Sequence, residues 1–160
     1  MDNVPMEYVI QVINNEILVN AVLCWFVAQV IKTIVNAALT QELDWRRLVG
    51  DGGMPSAHTA TVIGLALMTG LKEGFDTPLF AVSAVLAAVV MHDATGVRYE
   101  TQKQATAIEQ IVSYFNELAE ENISLDVKLK KFVGHSKMQV LAGALVGAAV
   151  TLIVYFTGPR

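Results

Sequence analysis

Apolar residues along this 160-residue chain fall into four runs, at positions 17–39, 59–71, 77–91 and 138–157. The first is broken by Asn20, Gln29, Lys32 and Asn36, yet it is long enough to cross a bilayer, whose hydrocarbon core takes about 20 helical residues. The second and third are shorter and are separated by Lys72-Glu73-Gly74-Phe75-Asp76. Gly74 and Pro78 are breakers, so this pair reads as an antiparallel helical hairpin, with polar residues borrowed at the ends or shielding by neighbouring protein. The fourth run is the cleanest. It carries Gly143 and Gly147 in a GxxxG spacing among Ala142, Ala144, Ala148 and Ala149, which lets another backbone approach closely, within the monomer first and in a homodimer as the alternative. Between runs three and four, Ile108, Ile111, Val112, Phe115, Leu118 and Ala119 recur on one helical face, opposite Glu109, Gln110, Asn116, Glu117 and Glu120. This acidic amphipathic helix is expected to pack on the protein, since lipid-binding ones are normally basic. The reading is all-α: an integral-membrane helical bundle of about four membrane helices plus an amphipathic helix, a single domain over residues 1–160.

Composition supports it, with 54% hydrophobic and 16% charged residues and a mean hydropathy of +0.48; soluble domains usually carry about 25% charged residues. A net charge of −4 provides no basic footprint, which excludes nucleic acid as a partner. Cys24 is the one cysteine, so neither an intrachain disulfide nor a multi-Cys zinc site is expected. Residues 1–16 hold no Lys or Arg and do not read as a cleavable signal. With four spans, every Lys and Arg except Lys72 and Arg160 falls in or beside the first and third loops. The positive-inside rule then puts those loops in the cytoplasm of a multi-pass cell-membrane protein, with both chain ends outside.

The same two loops hold the residues with most chemical potential. Gly52-Gly53-Met54-Pro55-Ser56-Ala57-His58 is a flexible turn running into a helix that starts near Ser56, and a helix N-terminus suits a phosphate. Ser56 as a plain N-cap, with His58 as an interfacial residue, is the equally simple alternative. His135 precedes the last run, and Asp93 with Arg98 reads as site residues or as an ordinary ion pair at a helix end. His92, after Val89-Val90-Met91, reads as a packing residue. Two histidines and several cations on one side of a membrane, with no cysteine cluster or carboxylate cage for a metal, suit phosphoryl transfer through a phosphohistidine. One imidazole attacks phosphorus, another protonates the leaving oxygen, and cations hold the equatorial oxygens; no metal or cofactor is called for.

At these residues the chain resembles the divergent branch of the type 2 phosphatidic acid phosphatase superfamily, the acid phosphatase/vanadium-dependent haloperoxidase-related membrane proteins. The resemblance runs through Ala28-Gln29-Val30-Ile31-Lys32, Leu43-Asp44-Trp45, residues 52–58, Phe80-Ala81-Val82-Ser83-Ala84, residues 93–98, and Gly134-His135 with Gln139-Val140 and Gly143. The wider superfamily uses K-x6-R-P, P-S-G-H and S-R-x5-H-x3-D. Pro55-Ser56-Ala57-His58 resembles the second segment, making His58 the counterpart of the general acid. Lys32 resembles the first-segment lysine; Leu39 stands where the arginine belongs, with Arg46 or Arg47 as its substitute. His135 resembles the nucleophile, but Leu129 precedes it in place of Arg and Gln139 follows it in place of an acid. The resemblance therefore assigns Asp93 to the missing carboxylate and Arg98 to the missing phosphate ligand, beside Lys32 and Ser56.

What this resemblance implies is a lipid phosphomonoester hydrolase, above all a phosphatidylglycerophosphate phosphatase producing phosphatidylglycerol, with a cytoplasmic-side active site and a phospholipid substrate. The alternatives are a non-catalytic membrane protein that binds an anionic lipid, an isoprenyl phosphate phosphatase, and a vanadate-dependent haloperoxidase.

Overall fold

The computed structural model describes residues 6–41, 53–118 and 136–158. They form six helices, α1 (Met6–Ile13), α2 (Glu16–Thr40), α3 (Ala57–Glu73), α4 (Pro78–Thr95), α5 (Val97–Leu118) and α6 (Lys137–Thr157), with no strand among the described residues. Each boundary has a local cause. The Asn15 side chain accepts the Leu18 N–H at 3.0 Å and opens α2, and Ser56 Oγ accepts the Thr59 N–H at 3.3 Å and opens α3. Gly74 ends α3 at φ +109°, a backbone that side-chain-bearing residues rarely adopt, while its N–H donates to the Gly70 carbonyl at 3.1 Å. Thr77 caps α4 with Pro78 in its first turn, where a missing N–H costs nothing. At α6, Ser136 and Gln139 form a reciprocal capping box.

All four apolar runs are helices, and three of them, α2, α4 and α6, are long and apolar enough to cross a membrane. The fourth, α3, has 17 residues, about 25 Å of helix against a hydrocarbon thickness of about 30 Å. It sits in the middle and packs on α2, α4 and α6 at once, the shielding by neighbouring protein that its short run called for. Small residues make this closeness available: Ala57, Ala60, Gly64 and Ala66 line α3, and a Cβ added at Gly64 would stand 2.5 Å from Cys24 Sγ.

Gly143 and Gly147 press against the same helix. A Cβ at Gly147 would come within 2.5 Å of the Ala60 carbonyl oxygen, and one at Gly143 would collide with the Ser56 carbonyl. The GxxxG pair is therefore used inside the chain, to seat α6 on α3. Polar groups join α2, α3 and α6 around Asn20. Asn20 Nδ2 donates to the Gly64 carbonyl at 3.0 Å and to Thr151 Oγ1 at 2.9 Å, and Thr151 Oγ1 donates to the Gly147 carbonyl at 2.8 Å. The two bonds from Asn20 cross between helices and contribute roughly 0.6 kcal/mol each in a bilayer, whereas the Thr151 bond lies within α6.

Two features depart from expectation. The amphipathic segment is helical, as α5, but its apolar face is not covered: Ile108, Ile111 and Phe115 are exposed, and α4 is the one described helix that α5 touches. Only Gly96 separates α4 from α5, a link too short to fold α5 back along the bundle. The second is α1, an eight-residue helix whose residues are all exposed, too short to show a period in sequence.

Candidate functional site

The helices alternate in direction, so each end of the bundle collects particular residues. At one end the Lys72–Glu16 ion pair joins α3 to α2, and the Lys72 ammonium stands 6.0 Å from the Tyr155 ring centre of α6. At the other end α2 finishes, α3 begins, α4 finishes and α6 begins. There the Ser56 N–H donates to the Gln139 carbonyl at 3.0 Å, tying the start of α3 to the start of α6. Lys32, Ser56, His58 and Asp93 all belong to this second end.

Lys32 is the most telling of them. It sits on the inward face of α2, only 4% exposed, one stripe with Asn20, Cys24 and Ala28 at four-residue intervals. Burying an ammonium is costly without a counter-charge or hydrogen-bonding partners. The glycine-rich turn makes room for it: Gly53 has φ +85°, and a Cβ there would lie 3.2 Å from Lys32 Cγ. The glycine is thus required twice, for its backbone and for the lysine stem beneath it.

Ser56 is fully buried, and its Oγ accepts from both the N–H and the hydroxyl of Thr59, the latter at 3.0 Å. It is the N-cap of α3, one of its two sequence readings. His58 follows in the first turn of α3 and is exposed; Asp93 lies half-buried in the last turn of α4, beside exposed His92. The α3–α4 hairpin, whose register is marked by Val62 and Ala66 packing with Ala87 and Val90, sets His58 and Asp93 at the same level. Arg98 is in the first turn of α5, two residues beyond Gly96, and so belongs to this end by its backbone; its side chain lies outside the described residues, as do Arg46, Arg47 and His135 entirely. The described chain resumes at Ser136. Gln139, read as standing where the family has an acid, accepts the Ser136 N–H on its Oε1 at 3.0 Å and the Ser56 N–H on its carbonyl.

Among the described residues, no three His, Cys, Asp or Glu side chains gather in a way that would hold a metal ion. A cavity of about 140 Å³ lies at the opposite end, lined by Glu16, Asn20, Met68, Lys72 and Tyr155, away from the histidine and the buried lysine. The sequence reading left two residues on the Lys32 side without a role of their own: Gly53, whose contact with the lysine stem needed the fold, and Gln29, one turn before Lys32 and 4% exposed. The signal for Gln29 was present, since polar residues three apart in an apolar run share a helical face.

The family model described as "Divergent PAP2 family" matches residues 13–150, from the end of α1 into α6. A relative, described as the uncharacterized membrane protein YuiD of Bacillus subtilis (strain 168), is 36% identical over 154 residues, which covers 91% of this chain and 98% of the relative. No solved structure matches.

Proposed function

Because the chain belongs to the divergent PAP2 family, we propose that it is a membrane-embedded lipid phosphomonoester hydrolase whose preferred substrate is phosphatidylglycerophosphate. The observation that carries this reading is the ammonium of Lys32, buried beneath Gly53 at the end of the bundle that also holds His58 and Asp93. A cation kept in an apolar bundle at a cost in solvation is well used as an oxyanion ligand.

In the proposed reaction a ring nitrogen of His135 attacks phosphorus, and the bond from phosphorus to the lipid oxygen breaks. His58, as its imidazolium, donates a proton to that leaving oxygen, so phosphatidylglycerol departs with a neutral hydroxyl in place of an alkoxide. Neutral His58 then takes a proton from water as the water attacks the phosphohistidine and the P–N bond breaks, which releases phosphate and restores His135 as an imidazole and His58 as an imidazolium. Lys32 and Arg98, with Arg46 or Arg47, hold the equatorial oxygens, and Asp93 supports the charge that develops on an imidazole. The active site faces the cytoplasm in this reading, which rests on the distribution of Lys and Arg between the loops.

A second reading has one observation in its favour. Position 139, where the wider superfamily has an acid, holds Gln139, whose Oε1 accepts the Ser136 N–H in the α6 capping box; an amide brings no negative charge to an imidazolium, which suits a protein that binds an anionic lipid without cleaving it. Phosphate release from phosphatidylglycerophosphate by the purified protein separates the two. Release that disappears in His135→Ala supports the hydrolase; lipid binding without release supports the binder.

A further inference from the structure

Gln29 is buried on the inward face of α2, and its Oε1 is one of two buried side-chain oxygens that lack a hydrogen-bond partner among the described residues. The other, Asn20 Oδ1, is the remaining end of an amide whose nitrogen makes two bonds. Gln29 has a different neighbourhood. It precedes Lys32 by three residues, both are 4% exposed, and side chains at that spacing have Cβ atoms about 5–6 Å apart on one helical face. The hydroxyl of Thr33, the other buried polar group here, is already committed to the Gln29 carbonyl at 2.9 Å. A cation and a carboxamide are therefore placed together on one buried helical face, with the amide's oxygen unmatched. Buried polar atoms left in that state are costly and call for an absent partner.

We propose that Gln29 is a further ligand of the oxyanion, its carboxamide N–H donating to a phosphoryl oxygen that the Lys32 ammonium also holds. A half-turn about the terminal torsion, which is broad and nearly two-fold for glutamine, brings Nε2 to the position of the unmatched oxygen. The two groups are complementary: lysine supplies charge with little directional demand, whereas an amide supplies a directed donor that fixes the rotation of the phosphoryl group. The proposal rests on the phosphatase reading for the identity of the anion, and its test is chosen to stand apart from turnover.

Orthovanadate binding and phosphomonoester hydrolysis are measured side by side on the purified full chain in detergent, for wild type, Gln29→Met and Gln29→Glu. Methionine keeps the length of the side chain and removes the donor. It should lower kcat/KM about 100-fold and weaken vanadate binding by a similar factor, the usual effect of losing one oxyanion donor. Glutamate keeps the shape and adds a negative charge beside the anion, so its loss should be larger. Should Gln29→Met fail to insert or fold, Gln29→Glu and Gln29→Asn carry the same comparison. Unchanged vanadate affinity in the folded variants would overturn the proposal and leave the phosphatase reading intact. Wild type that binds vanadate tightly, through Gln29, yet hydrolyses no phosphomonoester would overturn the hydrolase and leave the ligand assignment standing. Wild type that binds no oxyanion would remove both.

Discussion

The Ser56 N–H donates to the Gln139 carbonyl at 3.0 Å, and Gly143, four residues further along α6, lies directly under the Ser56 carbonyl. The start of α3, which carries His58, is thus seated on α6 by backbone contacts with no side chain between. Gly143→Val should separate the two helices. Overpacking of this kind typically costs about 1–3 kcal/mol, so the variant should melt at lower temperature in detergent and lose activity. Gly147→Val, one turn deeper against Ala60, should destabilise to a similar degree with a smaller effect on activity. Thermal unfolding and phosphate release, measured on both, check the difference.

That pair also marks the boundary of what the sequence could reveal. GxxxG shows that a backbone comes close, but both an internal helix and a second copy would satisfy it; only the fold assigns the contact to Ser56, Thr59 and Ala60. Ser56 and Gly74 were readable as the ends of α3 because caps are local chemistry. The apolar face of α5 was readable as a face, whereas whether anything covers Ile108, Ile111 and Phe115 depends on how Gly96 aims the helix. Lys32 looked like an interruption in an apolar run. Its place in a stripe with Asn20, Cys24 and Ala28 foretold the burial, but its contact with Gly53 joins positions on either side of a loop and has no signature in either segment.

Lys32→Met should leave the protein folded and membrane-inserted while abolishing oxyanion binding. Methionine preserves most of the stem that packs at Gly53 and removes the charge whose burial the fold has to accommodate. Gly53→Ala tests the other side of the contact. Its φ of +85° strains any L side chain and the new Cβ presses on Lys32 Cγ, so it should cost about 1 kcal/mol or more in stability and raise KM. Isothermal titration with vanadate and a melting curve measure both variants; wild-type vanadate affinity in Lys32→Met would remove the lysine from the site.

His58→Ala and His135→Ala should each lower turnover by several orders of magnitude in protein that still inserts and folds. General acid catalysis is worth about 100- to 10,000-fold, and loss of a nucleophile should be at least as severe. His58 is exposed at the first turn of α3, so truncating it removes little packing and the kinetic effect is separable from stability. Wild-type rates in either variant would reassign that histidine.

The distribution of Lys and Arg predicts which end of the bundle faces the cytoplasm. In a Cys24→Ala background, Glu73→Cys marks the Lys72 end and Met54→Cys the Lys32 end, both at exposed positions. A membrane-impermeant maleimide should label Glu73→Cys in intact cells and Met54→Cys only in inside-out vesicles. The reverse pattern would place the proposed site on the outer leaflet, where an isoprenyl phosphate becomes the better substrate.

Phosphatase activity should persist in excess EDTA and be inhibited by vanadate. A histidine nucleophile flanked by cationic oxygen ligands neutralises the developing charge with side chains, and the acids that neighbour the proposed site residues in the sequence, Asp51 and Asp93, are few for a two-metal cage. Vanadate readily becomes trigonal bipyramidal, the geometry of phosphoryl transfer at its midpoint, and analogues of a transition state bind more tightly than substrates do. Lys32, held under Gly53, is positioned to neutralise that species as it would the phosphoryl group. Activity assayed across EDTA and vanadate titrations decides the matter: if chelation abolishes turnover and Mg²⁺ restores it, the phosphohistidine route loses its chemical basis, and a carboxylate-metal mechanism built around Asp93 takes its place.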